Sequence, residues 1–549
     1  MQRTGGELVL DSLKAAGVDT VFGIISVHNL PIFDAIAREG GVRVVPARTE
    51  HGAAAMADGF ARATGRLAAA LTSTGVGAAN AAGSLTEAFV ASSPVIHITG
   101  QVDSAYVDVE RGFLHQPKDQ LTVLDRVGKA AFRAESTEHI AATMRRAIQL
   151  AQSGRPGPVS VEIPIDQQYR SIDAPAIEPI RRPARLKPHP RDVERAVQLI
   201  RSSRRPLIWA GGGTIASDAS DALRGLAERI GAGVLTTAAG RGSMPEDHPQ
   251  CIGFFVVDAA VLDLYQQSDL LLAVGTRFRG NETRNWQLPL PSPRIQIEVE
   301  PNLLGRNYPV DLGIPADARL TLSALLDSVS SSTADSDWLA CVAEARRAAR
   351  ARARAALGPY ERILDDLRSS LPRDAIVVRD VTVPATTWGS RLLETYTPRT
   401  TLHSATYAIG MGVGLAIGAA IGRPDREVVL LAGDGGFVTA VGELATMVQE
   451  RARLRVVLFN DAGYGILRNL QDAHFEGRRL GVDLTTPDFL RLGESFGIPS
   501  SQVRSAVEMG PVLKEALQQD GPALIEVDMQ AVGPMATPFT GSARLVPAR

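Results

Sequence analysis

Two apolar stretches in the last third of the chain each end in glycines and acidic residues. Residues 428–433 are apolar up to a glycine and precede Asp434, and residues 455–459 precede Asn460 and Asp461. If both are buried parallel strands, their carboxyl ends meet at one sheet edge, where α/β proteins bind ligands. Carboxylates and backbone carbonyls are ligands of Mg²⁺. Asp434, the side chain at 461 and a nearby carbonyl are therefore predicted to share a Mg²⁺ ion.

The glycines around Asp434 suit a phosphate group. Gly433, Gly435 and Gly436 allow backbone N–H groups to approach an anion, and a helix predicted to begin near Tyr464 directs its positive end to the same place. Because Mg²⁺ usually shares its ligands with phosphates, this pattern favours a diphosphate beside the metal.

The order Gly433-Asp434-Gly435, followed in the next strand by Asn460-Asp461, resembles the metal–diphosphate motif of thiamine diphosphate (ThDP)-dependent enzymes. The resemblance implies that Gly463 supplies a backbone oxygen to the metal. The family usually has asparagine where this chain has Asp461, which adds negative charge beside the diphosphate. The resemblance also implies that several residues here and elsewhere in the chain contact the cofactor: Asn80, Thr382, Gly433, Gly435, Gly436, Tyr464, Gly465 and Ile466.

A second element of ThDP chemistry is a carboxylic acid that protonates the aminopyrimidine ring. Residues 48–59 resemble the family segment that carries this glutamate, which is Glu50 here. Small apolar residues follow Glu50, so burial is expected to raise the pKa of its carboxyl group. A glutamate at a helix start is otherwise a favourable partner of the helix dipole. Its occurrence together with the Asp434 motif favours the catalytic role.

A third element lies in residues 409–415, where an apolar side chain stands among glycines. In the family that this segment resembles, such a side chain wedges under the cofactor and bends it. Met411 matches that position, and Ile409 matches the residue whose carbonyl contacts the 4′-amino group. In an ordinary core helix so many glycines would be costly, at about 1 kcal/mol each against alanine.

Three polar residues fall on segments that resemble active-site loops of the family. His28 lies where benzaldehyde lyase-like and 2-oxo-arginine decarboxylase-like enzymes place a histidine, and His115 lies where benzaldehyde lyases use a glutamine. Gln116 matches a glutamine of acetohydroxyacid synthases. Two imidazoles can act as acid and base near neutral pH, so His28, His115 and Gln116 are predicted catalytic residues beside Glu50.

The resemblance covers nearly the whole chain and is closest to the acetolactate synthase-like group, with benzaldehyde lyase and benzoylformate decarboxylase as relatives. Two positions argue against a true acetohydroxyacid synthase: Ile165 replaces a lysine, and Asn281 replaces an arginine that holds a carboxylate. Arg279 or Arg284 could substitute for that arginine. The leading interpretation is 2-oxo acid decarboxylation, carboligation or both. The alternatives are an acyloin lyase or ligase of the benzaldehyde lyase kind and, less favoured, a silent binding protein with the same fold.

The elements that must position these residues alternate between short apolar strands and helices. This rhythm predicts an α/β fold of three domains, each with a mostly parallel sheet covered by helices on both faces. The resemblance implies that they are a pyrimidine-binding, a central and a diphosphate-binding domain. Their predicted bounds are 1–172, 190–330 and 358–530, with a proline-rich linker at 173–190, a Ser-rich linker from 328 and a C-terminal tail at 531–549.

The central block opens with Ala210-Gly211-Gly212-Gly213 before a helix, a weak nucleotide-binding pattern that tight strand–helix packing also explains. Some relatives retain a flavin in this domain, so FAD is a further, doubtful cofactor.

Composition excludes several other classes. The net charge of -2, from 58 basic and 60 acidic residues, provides no basic stripe for nucleic acid. No apolar run reaches the length of a membrane span, and Thr4 to Glu7 read as a helix capping box rather than a signal peptide. The two cysteines suggest neither disulfide nor zinc, so a cytoplasmic protein with a small-molecule 2-oxo acid, aldehyde or hydroxy ketone as partner is expected. The resemblance implies a homodimer or a dimer of dimers, with the active site between subunits.

Overall fold

A computed structural model of the chain describes residues 1–329 and 334–541. Three six-stranded sheets follow one another along the sequence, and every pair of neighbouring strands within them runs parallel. Helices connect most of the successive strands. The predicted α/β class with three parallel sheets is confirmed.

The N-terminal sheet has the strand order β3-β2-β4-β5-β7-β6, and β1 and β8 form a separate antiparallel ribbon. The Thr4–Glu7 capping box is present, since Thr4 accepts from the N–H of Glu7 and Glu7 accepts from that of Thr4. The elements are β1 (Gln2–Thr4), α1 (Gly5–Ala15), β2 (Thr20–Gly23), α2 (Leu30–Glu39), β3 (Arg43–Pro46), α3 (Glu50–Thr64), β4 (Ala68–Thr72), α4 (Val76–Ala91), β5 (Val95–Gln101), α5 (Gln120–Val127), β6 (Ala130–Arg133), α6 (Thr137–Gln152), β7 (Val159–Pro164), α7 (Ile165–Tyr169) and β8 (Ser171–Asp173).

The central sheet has the order β11-β10-β9-β12-β13-β14, so the direction of winding reverses between β9 and β12. Residues 174–189, the predicted proline-rich linker, contain no helix or strand. The elements are α8 (Pro190–Ser202), β9 (Pro206–Ala210), α9 (Gly212–Ala216), α10 (Ser220–Ile230), β10 (Gly233–Thr236), β11 (Cys251–Gly253), α11 (Ala259–Gln267), β12 (Leu270–Val274), β13 (Arg294–Ile297), β14 (Leu312–Ile314) and α12 (Ala318–Ser328), followed by α13 (Trp338–Ala355) and α14 (Tyr360–Ser370). The predicted Ser-rich linker lies partly outside the described residues.

The C-terminal sheet has the order β16-β15-β17-β18-β20-β19. Its elements are β15 (Ile376–Arg379), α15 (Val383–Thr386), β16 (Thr401–His403), α16 (Met411–Gly422), β17 (Val428–Gly433), α17 (Asp434–Thr439), α18 (Leu444–Gln449), β18 (Leu454–Asn460), α19 (Gly465–His474), α20 (Phe489–Ser495), β19 (Ser500–Val503), α21 (Met509–Leu517), β20 (Ala523–Asp528) and α22 (Met529–Val532). The last part of the predicted tail, residues 542–549, lies outside the described residues.

The two outer sheets share one topology. Counted from the first strand of each, both follow the order second, first, third, fourth, sixth, fifth. In each sheet the second strand lies at the edge and leads into a long helix, α3 in one domain and α16 in the other. The sequence gives no sign of this correspondence, because no internal repeat is visible in it.

Helices α3 and α16 cross in close contact and join the two outer domains. A Cβ built on Gly418 would overlap the carbonyl oxygen of Met56, one on Gly59 would overlap that of Leu415, and one on Gly414 would lie 2.6 Å from the Cβ of Ala55. The glycines after Met411 therefore have a packing function. Their cost within a helix does not by itself argue for a cofactor.

The sequence predicts that no apolar run is long enough to span a membrane, and the structure allows this to be examined for the helices. Among residues 1–329 and 334–541 there is no helix that combines the length and the apolarity needed to span a bilayer.

The helix crossing generates a prediction about two glycines that both lie inside helices. Gly418→Ala should lower the free energy of unfolding by about 1–3 kcal/mol, because the added methyl group meets a backbone oxygen that cannot move away easily. Gly83→Ala, at an exposed position of α4 where the nearest atom would lie at 3.8 Å, should instead add about 0.5–1 kcal/mol. Thermal unfolding of both variants beside the wild type measures the difference. Equal midpoints would show that the crossing is looser than described.

Candidate active site

A buried and a half-buried carboxylate meet at the carboxyl edge of the C-terminal sheet. Asp434 begins α17 directly after β17, and Asp461 follows β18, its neighbour in the sheet. Asp434 is 1% exposed and accepts from the N–H of Gly463 at 2.8 Å. Burial raises the pKa of both carboxyl groups, and the adjacent charge of Asp434 helps raise the pKa of Asp461 to about 7. Two neighbouring carboxyl groups whose charged forms are disfavoured in this way are suited to sharing a cation.

The described residues contain no group of three or more His, Cys, Asp or Glu side chains with metal-ligand spacing. A cation at this edge would therefore take its remaining ligands from backbone oxygens and from a bound phosphate. This composition is typical of Mg²⁺, which rarely has an all-protein shell.

Arg468 holds the segment after β18 in place. Its guanidinium donates to the carbonyl oxygens of Asp461 and Ala462, both at 3.0 Å, and to the carboxylate of Asp483 at 2.8 Å. It also lies 3.6 Å from a carboxylate oxygen of Asp461. The extra negative charge at position 461 therefore has a basic neighbour, which the sequence analysis did not identify.

The glycines beside Asp434 bring Tyr464 and Thr382 close to the backbone at this edge. A Cβ on Gly435 would lie 2.6 Å from the ring of Tyr464, and one on Gly433 would lie 3.0 Å from Thr382. Helix α19 begins at Gly465 without a side-chain cap, so its first N–H groups are available to an anion. The predicted contacts of the diphosphate are thus brought together around one edge, and they fit such a group.

The segment before α16 makes a sharp turn that is hydrogen-bonded to a buried acidic side chain. Gly410 has a φ of 81° and donates its N–H to the carboxylate of Asp380 at 3.0 Å. Burial raises the pKa of Asp380 to about 6. Met411 is buried at the start of the helix, whereas Ile409 is 39% exposed. The turn therefore lies between a buried methionine and a residue that solvent can reach.

Glu50 is the first residue of α3 and is half-buried at the carboxyl edge of the N-terminal sheet. Asn80 donates to its carboxylate at 3.2 Å, and a Cβ on Gly77 would lie 2.7 Å from the same group. Asn80 is exposed. Asn80, which the sequence analysis names only as a cofactor contact, is thus a hydrogen-bond partner of Glu50, and Gly77 makes the space that the glutamate needs.

His28 and His115 form a pair at the same edge, with ring centroids 5.3 Å apart. His28 is 3% exposed, and its Nδ1 has no hydrogen-bond partner within residues 1–329 and 334–541. His115 is exposed and has a φ of 60°. Burial, and secondarily the charge of His115, lowers the pKa of His28 below the ordinary 6.5. A neutral imidazole with a free ring nitrogen beside a second imidazole can transfer a proton.

The side-chain amide of Gln116 forms hydrogen bonds to the backbone of its own loop. Its amide group donates to the carbonyl oxygens of Tyr106 and Val109 at 2.7 and 2.6 Å and accepts from the N–H groups of Arg111 and Phe113. These bonds shape the loop that presents His115. Spacing alone places Gln116 in the right region but does not reveal this use of the side chain.

Two cavities lie next to these elements. One of about 30 Å³ lies between the start of α3 and the turn at Gly410, next to His51 and Glu443, and has room for about one or two water molecules. The other, of about 210 Å³, lies where the three domains meet, at the carboxyl ends of β9 and β12. Seven arginines line it: Arg62, Arg155, Arg182, Arg241, Arg277, Arg279 and Arg399. The sequence analysis did not anticipate this basic cavity, because its arginines are scattered along the chain.

The residues that distinguish family members also have defined surroundings. Asn281 donates to the hydroxyl of Tyr407 at 2.9 Å, and Arg279 donates to the carbonyl oxygen of Ala405. Arg284 is exposed and donates to the carbonyl oxygen of Val257. Of the two arginines that could replace a missing carboxylate clamp, Arg279 is therefore the one that contacts the segment leading to Ile409.

An acid pair and an open helix start at one sheet edge, with a glutamate and two imidazoles at another, define a cofactor-dependent α/β enzyme. Three family models for thiamine pyrophosphate enzymes match the chain: the N-terminal TPP binding domain over residues 3–123, the central domain over 193–325 and the C-terminal TPP binding domain over 384–527. The chain belongs to the thiamine pyrophosphate enzyme family. It is a ThDP-dependent enzyme, as the motifs around Glu50 and Asp434 predict.

Curated relatives align over nearly their whole length. A probable 2-ketoarginine decarboxylase of Pseudomonas aeruginosa is 34% identical over 95% of this chain and 94% of the relative. The acetolactate synthase large subunit of Corynebacterium glutamicum is 32% identical over 95% of this chain and 86% of its own length. The large subunit of acetolactate synthase isozyme 2 of Escherichia coli is 30% identical over 99% of both chains.

The histidine pair generates a prediction about pH. In the wild type the ring of His28 should titrate below 6.5, and in His115→Gln its pKa should rise yet stay below 6.5, because burial is the larger cause of the shift. Selective labelling of the histidine ring carbons and NMR at a series of pH values follows each ring. His97, whose pKa burial lowers to about 4, serves as the internal control and should be the same in both proteins. A His28 pKa at or above 6.5 in the wild type would contradict the description.

Proposed function

We propose that this protein uses ThDP and Mg²⁺ to cleave or form a carbon–carbon bond next to a carbonyl, most directly by decarboxylating a 2-oxo acid, joining its remainder to a second carbonyl compound, or both. The observation that carries the proposal is the adjacent pair Asp434 and Asp461, both with raised pKa, beside the uncapped start of α19. The names of the relatives support a 2-oxo acid as the substrate.

The metal and the diphosphate are assigned to the C-terminal domain. Asp434, Asp461 and the backbone oxygen of Gly463 would hold Mg²⁺, and the N–H groups at the start of α19 would contact the diphosphate. Thr382 and the glycines at 433, 435 and 436 would border it. Both groups fit the donors that are present, because hard oxygens and free helix N–H groups are what a cation–diphosphate pair requires.

When bound, ThDP supplies an electron sink for the bond next to the carbonyl. Glu50 holds a proton at N1′ of the aminopyrimidine ring, and Asn80 keeps the glutamate in place. The carbonyl oxygen of Ile409 would accept from the 4′-amino group, and the buried side chain of Met411 would help to hold the cofactor in its bent form. The chain thus contributes orientation and a positioned proton, while the cofactor contributes the electronic chemistry.

Proton transfer to and from the substrate is assigned to the histidine pair. His28 has an unpaired ring nitrogen, and His115 lies beside it on an exposed loop. The neutral form of His28 accepts a proton, and the neighbouring imidazole returns one. Gln116 contributes by fixing the shape of that loop through its four hydrogen bonds to backbone groups.

The complete site is proposed to form between two copies of the chain, as a homodimer or a dimer of dimers. Within one chain the space between the start of α3 and the turn at Gly410 holds only about one or two water molecules, too little for an aromatic ring. Large apolar side chains are exposed near the carboxyl edges of both outer sheets: Ile25, Val27, Val76, Leu114, Ile409 and Leu467. Such side chains mark surfaces that a partner covers.

An acyloin lyase or ligase is the second candidate. The His28 and His115 pair favours it, because proton transfer at a hydroxyl group is central to cleavage of a 2-hydroxy ketone. Asn281 in place of an arginine also removes one means of holding a second carboxylate.

A flavin in the central domain is a further cofactor candidate with weaker support. The basic cavity lies at the reversal point between β9 and β12, where α/β folds bind nucleotides. Its volume of about 210 Å³ is below the roughly 300–1,000 Å³ of ordinary ligand pockets, which argues against a whole flavin dinucleotide. Yellow colour in the purified protein, released on denaturation, would establish the flavin.

A cytoplasmic location is proposed from the two cysteines, of which Cys251 is buried and both are free thiols. This usage suits a reducing compartment.

A substrate panel tests the proposed reaction. Purified protein with ThDP and Mg²⁺ is incubated with 2-oxo acids of varied side chain and with 2-hydroxy ketones, and both CO₂ and aldehyde are recorded. Release of CO₂ from an oxo acid supports the leading proposal, whereas aldehyde without CO₂ from a hydroxy ketone supports the lyase. Release of neither product, with ThDP bound, would leave only a silent binding protein.

Glu50→Gln is the matched variant for the catalytic assignment. Turnover should fall by roughly 10²–10⁴-fold, because an amide cannot hold the proton at N1′. The fold and the affinity for Mg²⁺ should remain, since the acid pair lies on a different sheet. Turnover is measured on the best substrate of the panel beside thermal unfolding. Near-normal turnover would remove Glu50 from the mechanism.

A further inference from the structure

We propose that Glu87 and Glu443, one from each outer domain, are reciprocal positioning residues that fix the two elements predicted to hold the aminopyrimidine ring. Glu443 fixes the start of α3 and thereby Glu50. Glu87 fixes the segment before α16 and thereby Ile409 and Met411. The inference rests on the proposed function, because it assigns these elements to cofactor binding.

Glu443 reaches from the C-terminal domain to the backbone that precedes Glu50. Its carboxylate accepts from the N–H of Arg48 at 3.1 Å and from the N–H and hydroxyl of Thr49, each at 2.9 Å. Thr49 is the N-cap of α3. Glu443 is 2% exposed, and a Cβ on Gly52 would overlap one of its oxygens. The residue directly before the predicted catalytic acid is therefore held by the other domain.

Glu87 reaches from the N-terminal domain to the backbone that precedes Ile409. Its carboxylate accepts from the N–H of Ala405 and from the N–H and hydroxyl of Thr406 at 2.8 and 2.6 Å. Arg62 also donates to it at 2.8 Å, and Glu87 is fully buried. These partners lower the pKa of Glu87 despite its burial, so the carboxylate is charged.

The two contacts are alike in kind. In each, a buried carboxylate accepts from two consecutive backbone N–H groups and from the hydroxyl of a threonine in the other domain. Hydrogen bonds to a charged acceptor are about twice as strong as those between neutral groups. Because the donors are main-chain groups, the carboxylate fixes the course of the backbone itself.

The positions of the two glutamates in the fold also correspond. Glu87 lies in α4, which follows β4, the third strand of its sheet, and Glu443 follows α17 and β17, the third strand of the other sheet. Each reaches toward the long helix that follows the edge strand of the opposite sheet. These reciprocal contacts are therefore part of the shared topology. Helices α3 and α16 contact each other between the two glutamates.

Amide hydrogen exchange on the full-length, cofactor-free protein tests the positioning directly. Glu87→Gln should remove protection from the amides of residues 405 and 406, and Glu443→Gln should remove it from those of residues 48 and 49. A glutamine cannot accept from all these donors, because one end of its side chain carries N–H groups. The control is Asp58→Asn, which disturbs the same buried ion group through Arg62 but leaves both backbone contacts intact.

Binding of ThDP in the presence of Mg²⁺ provides the second measurement. Both glutamine variants should bind ThDP about tenfold more weakly or worse, whereas Asp58→Asn should stay within about twofold of the wild type. Thermal unfolding of all three is measured beside it, so that a general loss of stability is separated from a loss of positioning. Unchanged protection at 405–406 and 48–49, or equal ThDP affinity in all variants, would overturn the inference.

Two milder variants keep the test decisive if a glutamine variant does not fold. Thr406→Ala removes one partner of Glu87, and Gly52→Ala pushes against the carboxylate of Glu443. Each should give the same loss of protection to a smaller extent, and an unchanged exchange pattern would count against the inference. Failure of the wild type to bind ThDP would instead refute the proposed function, whereas the exchange measurement needs no cofactor.

Discussion

The crossing of α3 and α16 is the constraint on which the candidate site depends. Gly59, Gly414 and Gly418 allow the two backbones to approach so closely that an added methyl group meets a carbonyl oxygen or another methyl group. Because both helices begin at the carboxyl edges of their own sheets, this one contact fixes the starting points of Glu50 and Met411. Groups that act on a cofactor need positions defined to about 0.5 Å. Two helices in backbone contact can provide that precision, whereas flexible side-chain contacts cannot.

The acidic residues of the two outer domains differ in what surrounds them, and that difference matches their proposed roles. Several N–H and O–H donors contact each of Glu87 and Glu443, so these carboxylates are already satisfied. Asp434 and Asp461 lie next to each other, and the pKa of both is raised although Arg468 lies near Asp461. A charged carboxylate that is poorly solvated is stabilised by a cation, so the proposed Mg²⁺ would suit the aspartate pair and not the glutamates. In these proposals, carboxylates would bind a cation in one place and position the backbone in another.

Local patterns in the sequence predicted much of the architecture. The strands that contain residues 428–433 and 455–459, the Thr4–Glu7 capping box and the order of the acid motifs follow from apolar runs and neighbouring residues. What the sequence could not provide are contacts between distant segments. Arg468, Glu87 and Glu443 are single charged residues without a local pattern, and the arginines of the central cavity become neighbours only after folding. The glycines of residues 409–415 were interpreted through the cofactor, although the facing helix accounts for Gly414.

The same rigidity limits what one copy of the chain can do. The contacts that hold Glu50 and Met411 in place also close the space between them, which leaves room for about one or two water molecules. Meanwhile Asn80, Ile409 and the exposed apolar side chains around them are open to solvent. The start of α3 and the segment before α16 are therefore held by contacts on one side and open to solvent on the other. The proposed second copy of the chain would bind on the open side. In the proposed dimer, each sheet edge would face the complementary edge of the second copy, and the crossing within each chain would keep both edges rigid enough to meet.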